Sequence, residues 1–354
     1  MTGRNYAILS HTWEKNEVTF DQYQPSEVSR NRLPGYDKIK KACVQARSKP
    51  YNLKYIWIDT CCIDKRSSSE LSEAINSMWH WYALSTLCIA YLADVPMSEL
   101  AYRFPRSRWF TRGWTLQELI APSDVTLFSK EWRPLGTKDS LRRDLSDAAG
   151  IPPQHLDAAS ALTCSTYEKM SFAAARTTTR VEDMAYCLLG LFGLTMPLLY
   201  GEGVRAFARL QAEIVQRTHD ASFLAWVDLR DRARRPTSSF APNAAVYSPL
   251  AHVRSTSEGD RRPYELTNVG LHIFLPVVRS VVAGLFYAVV GKTVEGRNTV
   301  YVAIPIRRRH LLGVKERVGA EMEECVEHYR ADCSVIALSP RQMKEAENVC
   351  FYLN

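Results

Sequence analysis

The sequence predicts an α/β fold: a parallel sheet flanked by helices, then a helical extension and a small β-rich C-terminal module. Three observations carry that prediction. Over the first 130 residues short apolar runs alternate with helical patterns, the rhythm of a parallel sheet with right-handed crossovers. Polar residues crowd the ends of those runs, where such sheets bind ligands. Past residue 239 the pattern changes to strand-like runs.

Taken in order, Tyr6-Ala7-Ile8-Leu9 reads as a buried strand ending at Ser10-His11-Thr12-Trp13. A polar loop with Pro25 and Pro34 follows, then a helix in which Tyr36, Ile39, Cys43 and Ala46 recur at helical spacing. Tyr55-Ile56-Trp57-Ile58 is a second strand, closing on Asp59-Thr60-Cys61-Cys62. The polar start Ser67-Ser68-Ser69-Glu70 caps an amphipathic helix with Leu71, Ile75, Met78, Trp79 and Tyr82 on one stripe. Leu87 to Leu92 is a third strand, closing on Ala93-Asp94, and a helix from Arg112 to Leu119 leads to a fourth strand, Val125 to Phe128. From Ser165 to Trp226 the chain reads as mostly helical, with one helix through Val181 to Leu189 and another from Val204 to Gln216. Between them Gly201-Glu202-Gly203 fits a turn as well as a phosphate loop. Leu271 to Leu275, Leu285 to Val290 and Val300 to Ile304 are strand-like. The boundaries expected are a core of residues 1–160, a helical extension 161–229, a basic Pro/Ser linker 230–239 and a β-rich module 240–354. The chain stops at Asn354 directly after an apolar run, which reads as part of a longer protein.

Composition narrows the classes. A hydrophobic fraction of 46% and a charged fraction of 23% describe an ordinary globular protein. The net charge of +7 suits an anionic ligand without requiring nucleic acid. The basic runs Arg230 to Arg235 and Arg307-Arg308-Arg309-His310 carry no interleaved aromatic platform. The longest apolar run, Val281 to Val290, is too short to span a bilayer and reads as a buried strand, and no secretory signal precedes Tyr6. Nine cysteines without framework spacing argue for reduced thiols and a cytoplasmic location. Cys325, His328 and Cys333 lack a fourth ligand, so no metal is expected.

The strand-end rule selects Ser10, His11, Trp13, Asp59, Cys61, Cys62 and Asp94, together with the start of the helix carrying Glu118. On a helix Trp114, Gln117 and Glu118 share a face. A carboxylate beside an aromatic ring can hold a sugar and stabilise positive charge on it. The alternative is a surface glutamate with Trp114 in the core. His11 with Cys61 or Cys62 is a second chemistry, a nucleophilic thiol–imidazole pair, although in an extended segment the two cysteines point to opposite faces.

Three ordered blocks, Tyr6-Ala7-Ile8-Leu9-Ser10-His11-Thr12-Trp13, Tyr55 through Lys65, and Arg112-Gly113-Trp114-Thr115-Leu116-Gln117-Glu118-Leu119, closely resemble those of the fungal heterokaryon-incompatibility (HET) domain. The likeness continues through Arg180 to Gly190 and Leu199 to Gly203, and Tyr264 to Pro276 looks like the tail of many members. It implies a cytoplasmic fungal protein of self/non-self recognition and regulated cell death, a form of innate immunity. The first block starts almost at once, where members usually carry a strand-forming lead. A remoter resemblance in element order, to Toll/interleukin-receptor (TIR) domains, implies a TIR/flavodoxin-like sheet and NAD+ cleavage, with Glu118 at the position of their essential glutamate. That resemblance makes Glu118 the expected catalytic residue, with Ser10, His11, Trp13, Asp59, Arg112 and Trp114 binding substrate. Arg112 would meet the pyrophosphate and Trp13 or Trp114 would stack on a base. NAD+ or a related nucleotide would be a substrate rather than a cofactor, as no dinucleotide fingerprint is present. A homo-oligomer on activation and an upstream recognition protein are the expected partners. The rival reading is a death-signalling interaction module without catalysis, its tryptophans serving an interface.

Overall fold

The computed structural model describes residues 5–24, 33–228, 238–248, 252–256, 264–268, 270–295, 298–318, 321–331 and 334–353, with backbone alone at 295, 308–318 and 321–329. The chain divides into two compact units, one of residues 1–163 with 175–203, the other of residues 164–174 with 204–354.

The first unit is built on β1 (Tyr6–His11), α1 (Tyr36–Arg47), β2 (Tyr55–Trp57), α2 (Ser68–Ala83), β3 (Leu87–Tyr91), α3 (Thr115–Ile120), β4 (Val125–Phe128) and β5 (Pro134–Thr137). The strand order is β2-β1-β3-β4-β5. The first four are parallel and β5 runs antiparallel to β4. The expected parallel sheet is therefore present, in the flavodoxin-like order whose ligand crevice lies at the β1/β3 switch point. β5 escaped the sequence reading because Pro134-Leu135-Gly136-Thr137 has no alternation, and Pro and Gly are tolerated at such an edge.

Side chains alternate across β1. Ala7 and Leu9 pack with Ile39, Ala42 and Ala46 of α1. On the opposite face the Tyr6 hydroxyl donates to the Trp81 carbonyl of α2 at 2.6 Å, and Trp57 of β2 packs its ring against Trp81 and Tyr82. Burial of Leu9 and Ile39 contributes about 1.5–3 kcal/mol each, and of the alanines less. The Ser67 hydroxyl accepts from the Glu70 amide, capping α2 as its sequence predicts.

Several elements depart from expectation. The helix expected from Arg112 to Leu119 starts only at Thr115: a separate turn at Arg108–Thr111 precedes it, and Arg112 between them is extended (φ −80°, ψ 139°). The break lets residues 111–113 pair with Thr177, through Thr177 N–H to Thr111 O (2.7 Å) and Gly113 N–H to Thr177 O (2.9 Å). Asp59–Cys62 is a helical turn, not an extended strand end. The single helix expected through Val181 to Leu189 is two short turns, Asp183–Tyr186 and Leu189–Phe192.

The second unit holds α4 (Arg205–Arg217), β6 (Glu265–Leu266), β7 (Leu271–Arg279), β8 (Leu285–Glu295), β9 (Asn298–Val318), β10 (Glu321–Arg330), β11 (Ile336–Leu338) and β12 (Glu347–Leu353). The pairing runs β10-β12-β7-β8-β9-β11 and returns from β9 to β10, while β6 pairs β7. Closing the ladder in this way removes edges that would otherwise invite other strands. The apolar run Val281 to Val290 is not one buried strand. β8 starts only at Leu285, and Val281 and Val282 are exposed in the preceding turn, where Gly284 takes φ 71°. Residues 230–237 of the expected linker lie outside the described residues, as do Cys333 and the side chains of Cys325 and His328. Among the described residues no helix is long and apolar enough to cross a membrane.

Candidate functional site

Ser10 and His11 end β1, and their side chains leave opposite faces of the sheet. That parity divides the expected site in two.

On the α1 face, His11 Nε2 lies 3.0 Å from Asp59 Oδ1, and Trp13 Nε1 donates to Asp59 Oδ2 at 2.8 Å. Asp59 begins the turn after β2, which pairs with β1, so the two strand ends deliver the two groups. Burial pushes the Asp59 carboxyl up, but the His11 bond and charge, Lys65 and the Trp13 bond outweigh it and hold the group below the ordinary range. Lys65 sits 3.3 Å from the centre of the half-exposed Trp13 ring. On its other side, His11 Nδ1 lies 3.3 Å from Lys38 Nζ, which is ion-paired with Glu17 and, at 3.1 Å, with Glu14.

Of these groups Trp13, Glu14, Glu17 and Lys38 line an open cleft of about 560 Å³, together with Lys15, Tyr91, Arg108 and Trp132, while His11, Asp59 and Lys65 stand behind that lining. Tyr91 ends β3, so the cleft stands at the carboxyl ends of β1 and β3, the switch point. Its wall is the Tyr91–Trp132 stack, with ring centroids 4.3 Å apart and planes at 13°. Trp132 is held in the left-handed region, φ 61°, where non-glycine residues rarely sit. The acidic residues keep the lysines in place, with Glu14 and Glu17 on Lys38 and Asp37 on Lys41 at 2.8 Å. A ligand phosphate would compete for those cations.

On the opposite face, the Ser10 hydroxyl donates to Glu118 Oε2 at 2.5 Å and accepts from Trp109 Nε1 at 2.8 Å. Glu118 is 7% exposed, and burial raises it to about 8 despite the Ser10 and Tyr82 hydroxyls. Tyr82 gives its own proton to Leu9 O at 3.0 Å. A protonated Glu118 can therefore donate where a carboxylate would find an oxygen. At neutral pH it is a buried acid, not an anion waiting at a cleft.

The remaining candidates fall elsewhere. Arg112 lies in the break before α3, where its Nη2 donates to Thr179 Oγ1 at 3.1 Å. Trp114 neighbours Asp183 and does not line the cleft. Asp94 accepts from Ser107 Oγ (2.7 Å) and the Arg108 amide (2.8 Å). Cys61 is buried and bonded to the Ile58 carbonyl, while Cys62 Sγ accepts from the Ile58 amide. His11 contacts Asp59, Lys38 and Glu17, with neither cysteine among its partners. The Gly201 and Gly203 amides both donate to Glu182 Oε1, at 2.8 and 3.0 Å, so a carboxylate of the same unit fills that nest.

Sequence reasoning missed Lys38, Tyr91, Trp132, Trp109 and Arg176. Lys38 left one signal, a cation in the first turn of a helix, against the macrodipole. Arg176, buried, donates to Arg112 O at 2.8 Å and Thr115 Oγ1 at 3.0 Å beside the start of α3. Burial lowers it to about 10, opposed by Cys187 and Glu118.

A family model described as Heterokaryon incompatibility protein (HET) matches residues 6–103, and one described as a domain of unknown function (DUF8212) matches residues 205–266. The chain is 43% identical over 220 residues to Vegetative incompatibility protein HET-E-1 of Podospora anserina, a stretch covering 59% of this chain and 16% of that one. The chain thus spans about a sixth of that relative's length. No solved structure matches.

Proposed function

We propose, from the premise that this chain carries a HET domain of the fungal heterokaryon-incompatibility family, that it acts in incompatibility cell death through a nucleotide bound at the β1/β3 cleft. The carrying observation is the cleft itself, where Lys38 and Arg108 stand with the half-exposed Trp13 ring. Cations for phosphate and a flat aromatic surface for a base suit NAD+ or a related nucleotide. NAD+ would be cleaved to nicotinamide and ADP-ribose products. Glu118 would stabilise the ribosyl cation once Ser10 releases it and it ionises. The form described, with Glu118 covered and protonated, is then the resting one. Activation by self-association or by an upstream recognition protein would supply the release.

One observation favours the second reading, a signalling module without catalysis: Glu118 is sealed on the sheet face opposite the cleft. The test is nicotinamide release from NAD+, followed by chromatography at high protein concentration, for wild type, Lys38→Ala and Glu118→Gln. Release lost in both folded variants supports the cleavage reading. Release lost in Lys38→Ala but kept in Glu118→Gln moves the chemistry to His11 and Asp59. No release from clustered wild type leaves the signalling module.

A further inference from the structure

We propose that Cys350 and His272 form a thiol–imidazole pair that makes Cys350 a site of reversible covalent modification by small disulfides, on the second unit and apart from the cleft. β12 pairs antiparallel with β7 so that Tyr352 stands opposite His272 and Cys350 opposite Phe274. Leu271, Ile273, Phe351 and Leu353 turn inward and are buried, which puts His272, Cys350 and Tyr352 on the other face. There Cys350 Sγ lies 3.0 Å from His272 Nε2. The imidazole is also stacked on the Tyr352 ring, with centroids 4.7 Å apart and planes at 28°. Register and stacking thus orient the base toward the thiol, which is the geometry that activates a sulfur nucleophile. Glu265 faces His272 from β6 on the far side.

The other described thiols are placed differently. Cys61, Cys88 and Cys187 are buried, Cys43 and Cys164 are partly buried, and Cys62, though exposed, accepts from the Ile58 amide. Cys350 is both exposed and in contact with an imidazole.

The exchange balances without a further oxidant. His272 Nε2 takes the thiol proton, and the Cys350 thiolate attacks one sulfur of the small disulfide. A new S–S bond forms as the old one breaks, and the departing thiolate recovers the proton from the imidazolium. Excess small thiol runs the exchange backwards.

The test is to treat the full chain with oxidised glutathione and quantify adducts at each cysteine by peptide mass spectrometry. The expected result is an adduct at Cys350, removed by reduced glutathione, forming about tenfold more slowly in His272→Gln. Cys88 and Cys187 report folding within the same sample, because they stay unmodified in a folded variant. A second measurement does not depend on the variant: Cys350 of the folded wild type should react faster than Cys350 of the urea-unfolded wild type. No adduct at Cys350, an unchanged rate in a folded His272→Gln, or faster reaction when unfolded would overturn the proposal.

Discussion

Ser10 and His11 are neighbours joined by one peptide bond, yet they serve opposite sides of the sheet. Glu118, bonded to Ser10, gives the sharper prediction. Its carboxyl ordinarily titrates at 4.5 and in the folded chain at about 8. Below 4.5 both states hold the proton. Between 4.5 and about 8 only the folded state does, so stability falls as pH rises through that window and levels off above it. Glu118→Gln should remove this slope and gain on wild type by on the order of a few kcal/mol at the alkaline end, with no gain near pH 4. Urea denaturation across pH checks it, and parallel curves for the two proteins would refute a buried, protonated Glu118. Which residues would be polar strand-end neighbours was legible from the sequence, because apolar runs stop visibly at Ser10 and Asp59. That Ser10 and His11 diverge also follows from strand alternation, but which helix each would face does not. Parity along β1 sends Ser10 and His11 apart, while the partners Lys38, Trp109 and Trp132 come from segments distant in the chain.

At the scale of elements, β1 to β4 and the helices between the first three follow from periodicity, since each is a simple apolar run or stripe. The helix carrying Glu118 is legible, but it starts later than its letters suggest, at Thr115, because Thr111 and Gly113 pair with Thr177. Close approach sets one other element and a buried cation another. A Cβ added at Gly190 would meet Trp79 Cβ of α2 at 2.1 Å. Gly190→Ala should therefore cost about 1–3 kcal/mol or more through overpacking, read as a lower urea midpoint. An unchanged midpoint would show that the two segments do not pack this closely. Lys138, 2% exposed, donates Nζ hydrogen bonds to the carbonyls of Leu119 (3.1 Å), Ile120 (3.3 Å) and Pro122 (2.6 Å), closing the end of α3. Lys138→Met keeps the stem but strands those acceptors, and should destabilise the chain by about 1–3 kcal/mol. A neutral result in the same urea measurement would mean that water reaches them.

The whole molecule consists of two compact units whose chain alternates between them, with 164–174 belonging to one and 175–203 returning to the other. Two cores of this kind need not melt as one. Calorimetry should give a van't Hoff enthalpy below the calorimetric enthalpy, and equality would mean a single cooperative block. This level was the least legible in the sequence, because membership of a unit depends on distant contacts and leaves no compositional mark at residues 163 or 203. The alternation has a consequence for anyone dissecting the protein. A single scissor cut cannot free the first unit: a fragment stopping at residue 163 discards Arg176, whose guanidinium holds Arg112 and Thr115, and Gly190, which seats against Trp79. A chimera that exchanged only the leading stretch between two relatives would therefore inherit a mismatched seam inside the fold, and an inactive graft of that kind would say nothing about the donor's chemistry.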